Sequence, residues 1–589
     1  MNNPHTYYQQ HLDSYQAEAS ALYKKMTLFS ILRMSVFLFT AFGIYMTFKD
    51  WQISVAIAVI GIGIFIVLLT KYTNIKAERQ LKLALVEINK TELEIADGNF
   101  HNRPDGLDFQ DPQHFYSLDI DMFGRGSFFQ FINRTSIHEG TRKLADALNA
   151  NNVKDIVQRQ EAIQELASNP EWRQLYSATA SLIKVETSAS TIINWLKTNK
   201  SFLPKIMAWL PYAFLGGTVI ILSLFFLHVL SAGFLGYWLL LGLVITGAYL
   251  KKINDLSVHT NKVKETFKQY ALLLDQIEKQ KFTSPLLTEK QRQIQSESEQ
   301  ASVIFGKLSK SLDALDNRNN FISAIFGNGY FLTDLKNSSK VEQWIKTYGH
   351  KVEDWFEVVS FFDAYNSLGN YTFNHPHYVF PKITDDKEVI KAKDLGHPLL
   401  RVAKRIDNDL TIENEQFFIV TGANMAGKST FLRTVSLYIV MANTGLPVCA
   451  SASNYNPVKL ITSMRTSDSL TDDSSYFFSE LTRLKFIVDA IQKESYFIIL
   501  DEILKGTNST DKAIGSRKFV EKLVATHATG IIATHDLSLC EIENELEEVK
   551  NYYFDAEIIN DELYFDYTFK TGVCKNMNAS FLLKKMQII

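Results

Sequence analysis

Hydrophobic positions are spread very unevenly along the chain. From Trp51 to Thr70 there are 20 residues without Asp, Glu, Lys or Arg, enough for a helix to cross roughly 30 Å of hydrocarbon. The preceding stretch, 26–48, is similar and carries one charge, Arg33, whose long side chain can snorkel to an interface or lie against a partner helix. Farther on, 206–250 holds no Asp, Glu, Lys or Arg and only His228 near its centre, and its length suits two spans that turn around 227–233. Apolar residues occupy every helical face over these lengths, which favours lipid over a buried helix pair. The pattern therefore predicts four membrane spans in two hairpins. Lys24, Lys25, Lys71, Lys76, Arg79, Lys197, Lys200, Lys205, Lys251 and Lys252 flank the outer ends of the hairpins, while the turns carry almost no positive charge. By the positive-inside rule both termini and the large polar segments face the cytoplasm. A polar lead-in and a second span directly behind the first argue against a cleaved signal peptide. The expectation is a multi-pass protein of the cell (inner) membrane.

The remaining sequence has the texture of a folded polar protein. Residues 72–95 read as a helix stopped by Asp97-Gly98-Asn99. The stretches 136–200 and 252–365 are helical in pattern, and the second begins where the fourth span ends, which predicts helices running on from membrane to cytosol. His375-Pro376 and Phe380-Pro381 break that pattern, after which short β-rich runs alternate with helices. The predicted organisation is a cytosolic segment 1–25, a first hairpin 26–70, a helical connector 71–110, a helical core 111–205, a second hairpin 206–250, a helical lever 251–385 and a nucleotide-binding domain 386–589. A length of 589 residues accommodates about three to five domains. The 61 Lys and Arg against 64 Asp and Glu leave a net charge of −3, so whole-chain electrostatics does not mark a dedicated nucleic-acid binder, and only local basic patches remain. Cys449, Cys540 and Cys574 lie far apart without metal-site spacing, so neither a disulfide framework nor a metal cluster is expected. The 41 Phe and 25 Tyr are read as span and core packing rather than base stacking.

Candidate chemistry concentrates after residue 415. A buried strand, Gln416 to Thr421, precedes Gly422-Ala423-Asn424-Met425-Ala426-Gly427-Lys428-Ser429-Thr430 and then a helical run. This is a GxxxxGK[ST] phosphate loop in strand–loop–helix context. Its glycines let backbone N–H groups and the helix N-terminus point at an anion. Lys428 suits the β/γ-phosphates and Ser429 suits Mg²⁺. A second apolar strand ends at Leu500-Asp501-Glu502: Asp501 suits the metal and Glu502 the positioning or deprotonation of an attacking water. A third strand, Gly530 to Thr534, ends at His535, a candidate γ-phosphate sensor. These residues predict an ATPase that uses ATP and Mg²⁺.

With these motifs in place the chain resembles the MutS family of DNA mismatch-repair ATPases. Thr421 through Thr430, with Asn424-Met425 inside, resembles the family's phosphate loop. Leu500-Asp501-Glu502-Ile503 followed by Gly506-Thr507 resembles the segment around its catalytic Glu, and Ala533-Thr534-His535 resembles its switch histidine. Ser467-Asp468-Ser469-Leu470 and Ser475 through Glu480 resemble its signature segment, and Gly396-His397-Pro398 the lead into its ATPase domain. Phe123-Gly124 and Asn133-Arg134-Thr135 are similar to the start of its core domain. The resemblance implies an ABC-like, MutS-type α/β P-loop ATPase domain at the carboxyl end. A mainly α-helical core and lever domain would precede it and carry the two hairpins. It also implies a homodimer in which Ser475 contacts the γ-phosphate of the opposite subunit, and it brings DNA as a partner by resemblance alone. Departures accompany it. The second hairpin stands where the family's DNA clamp would be inserted, the mismatch-reading Phe-x-Glu wedge has no counterpart, Asp473 and Ser474 replace a glycine and a basic residue, and Leu504-Lys505 replace Gly-Arg.

Two other readings compete. Four spans per chain with a related ATPase suit a DNA-independent membrane machine or an ABC-type transporter component, although an LSGGQ-like signature is absent. A membrane scaffold that binds but does not turn over ATP is disfavoured by Lys428, Asp501 and Glu502.

Overall fold

The computed structural model describes residues 3–183, 185, 187–295, 299–316, 321–465, 476–559 and 562–575. The polar lead-in and the first apolar stretch form a single helix, α1 (Pro4–Met46), which starts at Pro4 with the Asn3 side chain accepting the His5 N–H. After a turn at 47–50, α2 (Trp51–Ala96) returns antiparallel and ends before Gly98, whose φ of +89° only glycine adopts freely. These helices are about 65 and 69 Å long at about 1.5 Å per residue. They cross closely, because a Cβ on Gly61 would lie 2.2 Å from the Thr40 hydroxyl. Arg33 stacks on the Tyr72 ring of the partner helix at 4.1 Å. In the outer halves, large apolar side chains such as Phe39, Phe42, Ile60 and Ile66 face outward. Both helices are long and apolar enough to cross a membrane.

The helical core begins with α3 (Phe128–Ile132), α4 (His138–Asn149), α5 (Ile156–Ala167), α6 (Pro170–Ser181) and α7 (Ala189–Thr198). The second apolar region differs from its expected form. Its helices, α8 (Leu210–Phe226) and α9 (Ala232–Gly247), have 17 and 16 residues, fewer than the roughly 20 that a straight span needs. The next helix, α10 (Leu250–Lys279), leaves α9 at 61° rather than continuing it. By length and composition, the described residues hold two candidate spans, or three if α9 and the start of α10 count as one bent span, rather than the four expected.

The core continues with α11 (Pro285–Ile294), α12 (Ala301–Asp316), α13 (Phe321–Phe331), α14 (Thr333–Tyr348) and α15 (Val352–Asn374). The short apolar α13 accounts for the compact second region, because it packs on α8 and α9. A Cβ on Gly242 would come within 2.2 Å of the Gly329 carbonyl oxygen. The Thr218 hydroxyl donates to the Tyr330 carbonyl at 2.6 Å and accepts the Trp238 indole N–H at 2.9 Å. The periodic pattern had placed α13 in the cytosolic lever.

Helix α15 runs through the centre of the core and is buried on all sides from Val358 to Tyr371. Its fully buried Asp363 accepts the N–H groups of Ser136 and Ile137 ahead of α4. Gly140 has no room for a side chain there, since its Cβ would meet Asp363 Oδ2 at 2.0 Å.

The carboxyl-terminal part contains β1 (Lys382–Ile383), β2 (Glu388–Leu395), β3 (Asn408–Glu413), β4 (Phe417–Gly422), α16 (Lys428–Thr444), β5 (Ala452–Tyr455), β6 (Lys459–Ser463), α17 (Tyr476–Ile491), β7 (Tyr496–Asp501), α18 (Ser509–Ala525), β8 (Thr529–Ala533), β9 (Val549–Phe554), β10 (Glu557–Ile559), β11 (Glu562–Tyr564) and β12 (Lys570–Thr571). Six strands form one sheet in the order β12-β9-β4-β8-β7-β6, parallel from β9 to β6 and covered by helices. A smaller sheet, β1-β5-β2-β3, lies beside it. The core grips this domain through 115–121. Asp119 accepts the Thr462 hydroxyl at 2.5 Å and the Arg465 N–H at 2.8 Å, while Asp121 pairs with Arg465 at 2.5 Å and with Arg433 of α16 at 3.0 Å.

Burial raises the Asp363 carboxyl from 3.8 to about 7, although the Ile137 and Ser136 N–H groups oppose the shift. Between these values the native chain holds a proton that the unfolded chain has lost, so this group's contribution is full below about pH 4 and falls as pH rises to about 7. Asp363→Asn removes the titration and keeps an acceptor oxygen. Thermal unfolding followed by tryptophan fluorescence should show a smaller loss of stability from acid to neutral pH in the variant. Parallel pH profiles would contradict this assignment.

Candidate nucleotide-binding site

Register brings three strand ends together. Val420 of β4 stands beside Ala533 of β8, which stands beside Asp501 of β7. All three strands run parallel, so the residues that follow them emerge at one edge of the sheet. From β4 the chain turns at Gly422, whose φ is +149° and whose Cβ would lie 2.6 Å from the Phe554 carbonyl oxygen. Gly427, at φ +107°, closes the loop and starts α16. Ala423 and Ala426 are buried beneath it, whereas Asn424 and Met425 project outward, with Met425 in the left-handed region at φ +68°. The loop fits the backbone cradle expected of a phosphate site.

Lys428 is buried, and its ammonium donates to the carbonyls of Gly422 and Ala423 at 2.7 and 3.1 Å. Burial lowers its pKa, opposed by the charges of Glu502 and Asp501. The Ser429 hydroxyl donates to Asp501 Oδ2 at 2.7 Å. Glu502 takes φ +50°, and its N–H donates to the Ala533 carbonyl at 2.9 Å. That turn aims its carboxylate at His535, with 2.8 Å between Oε1 and Nε2. Nε2 also lies 3.3 Å from the Lys428 ammonium. One nitrogen cannot donate to the carboxylate and accept from the ammonium together. The shorter contact, to the carboxylate, calls for a proton on Nε2, and the lysine contact is then a repulsive approach. The hydrogen bond from His535 brings Glu502 down to about 2 against the opposing effect of burial. The structure thus gathers Lys428, Ser429, Asp501, Glu502 and His535, while Ser475 lies outside the described residues.

Sequence reasoning missed the cavity next to this cluster. It measures about 400 Å³ and is walled by Gly427, Thr430, His397, Ile406, Phe554 and Tyr567. Burial brings His397 down to about 4, aided by repulsion from Arg433 and Arg405, so its ring is neutral at physiological pH. Tyr567 and Ile406 come from segments far from the loop, and neither carries a motif. Lys505 was read only as a departure from a family pattern, yet its ammonium stands 3.9 Å from Glu502.

If His535 keeps Glu502 ionised, carbodiimide coupling of glycine ethyl ester at about pH 5, where an ordinary glutamate is partly protonated, should label Glu502 poorly in the wild type. Peptide mass spectrometry should find several-fold more labelling in His535→Ala. Equal labelling would show that the 2.8 Å contact does not govern this carboxylate.

Residues 418–585 match the family model of MutS domain V. The chain is also 30% identical over 245 residues to the DNA mismatch repair protein MutS of Methanococcoides burtonii, covering 40% of this chain and 27% of that protein. It is 30% identical over 240 residues to the protein of the same name from Staphylococcus epidermidis, again covering 40% and 27%. MutS protein homolog 4 of Homo sapiens is 32% identical over 213 residues, covering 34% of this chain and 22% of that protein. The chain therefore spans about a quarter of the length of these relatives. Through its carboxyl-terminal domain, the chain is a MutS-family protein.

Proposed function

We propose that the chain is a membrane-anchored MutS-type ATPase that binds and hydrolyses ATP as a homodimer. The observation that carries the ATPase reading is the convergence of Lys428, the Ser429–Asp501 pair and the Glu502–His535 pair at one sheet edge. The phosphates of ATP lie in the loop 422–430, where Lys428 exchanges the carbonyls of Gly422 and Ala423 for phosphate oxygens. The nucleoside occupies the adjoining cavity of about 400 Å³, whose aromatic wall and neutral His397 suit a base. Ser429 and Asp501 offer hard oxygen donors of the kind Mg²⁺ takes, and Mg²⁺ there supplies charge neutralisation at the phosphates. Glu502 orients the attacking water. A carboxylate held at about 2 is a weak base, so positioning is its main role until nucleotide binding separates it from His535. Ser475 completes the site of the opposite subunit.

Membrane anchoring is supported by α1 and α2, whose outer halves expose apolar side chains on every face and which two helices cannot bury against each other. Nucleotide-driven closure of the ATPase pair then moves the helical core against this anchor. The named relatives act in DNA mismatch repair, which makes DNA the first effector to test.

With full-length protein in detergent, Glu502→Gln should bind MgATP as the wild type does while kcat falls about 100-fold or more, and Lys428→Met should lose binding. Unchanged turnover in Glu502→Gln would sink the catalytic assignment. Stimulation by mismatched or branched DNA at stated salt supports a repair role. Activity indifferent to DNA but altered in lipid vesicles supports the DNA-independent membrane machine. In cells, the chain should stay in the membrane pellet through an alkaline carbonate wash, and its release would refute the anchor.

A further inference from the structure

Where the root of α2 meets the core, three arginines surround a single carboxylate. Glu92, buried on α2, is bound by Arg134 at 2.5 Å and accepts the amides of Asn370 and Asn374 at 3.0 and 2.9 Å. Burial pushes Glu92 up, but the Arg134 charge and these hydrogen bonds leave it below its ordinary value, so it is ionised. Its oxygens are thereby used. Arg173, also buried, donates Nε to the Leu166 carbonyl and one terminal nitrogen to Asn370, while its other terminal nitrogen is buried without a hydrogen-bond partner. Arg103 donates to the Asn133 carbonyl at 3.2 Å, and its Nε is likewise buried and unpartnered. The charges around this point are therefore three guanidinium groups and one carboxylate.

All four groups line one cavity of about 160 Å³. Its wall includes Asn366, only 3% exposed, whose amide nitrogen and oxygen both lack partners. Ser136 is there too, and the remaining carboxylate of the lining, Glu87, is exposed at the rim. Burial and the nearby Arg134 bring Arg103 down to about 10, with Glu92 opposing only in part. Such an arrangement is costly unless an anion completes it.

We propose that this cavity binds a small dianionic phosphoryl group, held by Arg103, Arg134, Arg173 and the amide of Asn366. Two negative charges match the excess of two positive charges among the groups inside the rim, three guanidinium groups against Glu92, with the exposed Glu87 outside this count, and tetrahedral oxygens suit several converging guanidinium donors. The volume admits one such group. Thr70 to Glu92 is 22 residues of α2, about 33 Å at about 1.5 Å per residue, so the ligand comes from solution rather than from a lipid headgroup. The bound anion joins α6 (Arg173), the segment ahead of α3 (Arg103) and α15 (Asn366), and reaches α2 through Arg134, which pairs with Glu92, and so fixes the first hairpin on the core.

Inorganic phosphate is the probe, compared with chloride at equal ionic strength on the full chain in detergent. Lys428→Ala serves as background so that phosphate held by the nucleotide loop does not contribute. In this background phosphate should raise the thermal midpoint. Adding Arg103→Met should raise the phosphate concentration for half effect at least about tenfold, the effect of one charge-assisted contact. Adding Asn366→Leu, which removes two unpartnered polar atoms, should weaken the phosphate response without lowering the midpoint in chloride. Vesicles carrying phosphatidic acid should give no response beyond that of free phosphate. The proposal is overturned by the absence of a phosphate response in the Lys428→Ala protein, by equal half-effect concentrations with Arg103→Met, or by a response to the vesicles alone.

Discussion

The register between β4, β8 and β7 is the constraint on which the candidate site depends. Each strand is buried on both faces, so periodicity does not distinguish an inward from an outward side. Close contacts set the alignment instead: a Cβ on Gly530 would lie 2.4 Å from the Ile498 carbonyl oxygen and 2.9 Å from the Phe417 ring. With that position held, Asp501 falls beside Ala533, and the Glu502 N–H reaches the Ala533 carbonyl. A slip of one residue would exchange the positions of Asp501 and Glu502 relative to Ser429 and His535. The 2.7 Å and 2.8 Å contacts that pair these groups would both be lost.

From that edge a contiguous set of contacts leads to the hairpin. Helix α16 begins at Lys428 and carries Arg433, which pairs with Asp121 of the core. Asp121 also pairs with Arg465, the last described residue before the segment that holds Ser475. One carboxylate of the core thus touches both the helix that follows the phosphate loop and the approach to the signature segment. The core in turn holds α1 and α2 through the buried Glu92–Arg134 pair, the Tyr8 hydroxyl donating to Asn374 at 2.6 Å, and the mutual amide bonds of Asn89 and Gln174. Removing one partner of a buried ion pair costs about 3–5 kcal/mol, so the joint is far stiffer than the exposed pairs along the helix surface. Movement at the nucleotide site would then reach α1 and α2 as displacement of a rigid unit. Contiguity supplies the route, and the energetic coupling along it is a separate quantity.

What was legible in the sequence was chemistry carried by short, local motifs. The phosphate loop, Asp501-Glu502 and His535 each follow an apolar strand, so spacing alone placed them at one edge. The two long helices of the first hairpin were legible for a similar reason, since 20 uncharged residues leave few alternatives. What escaped was set by contacts between distant segments. The bend between α9 and α10 and the short length of α8 follow the packing of α13, which lies some eighty residues away in sequence. In α13 the runs of Phe and Ile look like any core helix, and only the glycine pair Gly242 and Gly329, visible in three dimensions, shows where it docks. Tyr567 and His397, which wall the cavity beside Gly427, lie 170 residues apart and share no pattern.

The arginine cluster shows the same limit from the opposite side. Arg134 belongs to a family-like segment of the sequence, while Arg103 and Arg173, on either side of it, carry no motif. Only folding brings them to one carboxylate. A core built for stability alone would be served better by apolar residues of similar volume, because desolvating a guanidinium costs several kcal/mol even when it is paired. Among the buried polar atoms without a partner, Arg103 Nε, one Arg173 terminal nitrogen and both ends of the Asn366 amide belong to residues that line one cavity. Because these donors and acceptors share one cavity, a single bound anion would supply partners to several of them together, which no separate rearrangement of each side chain would do.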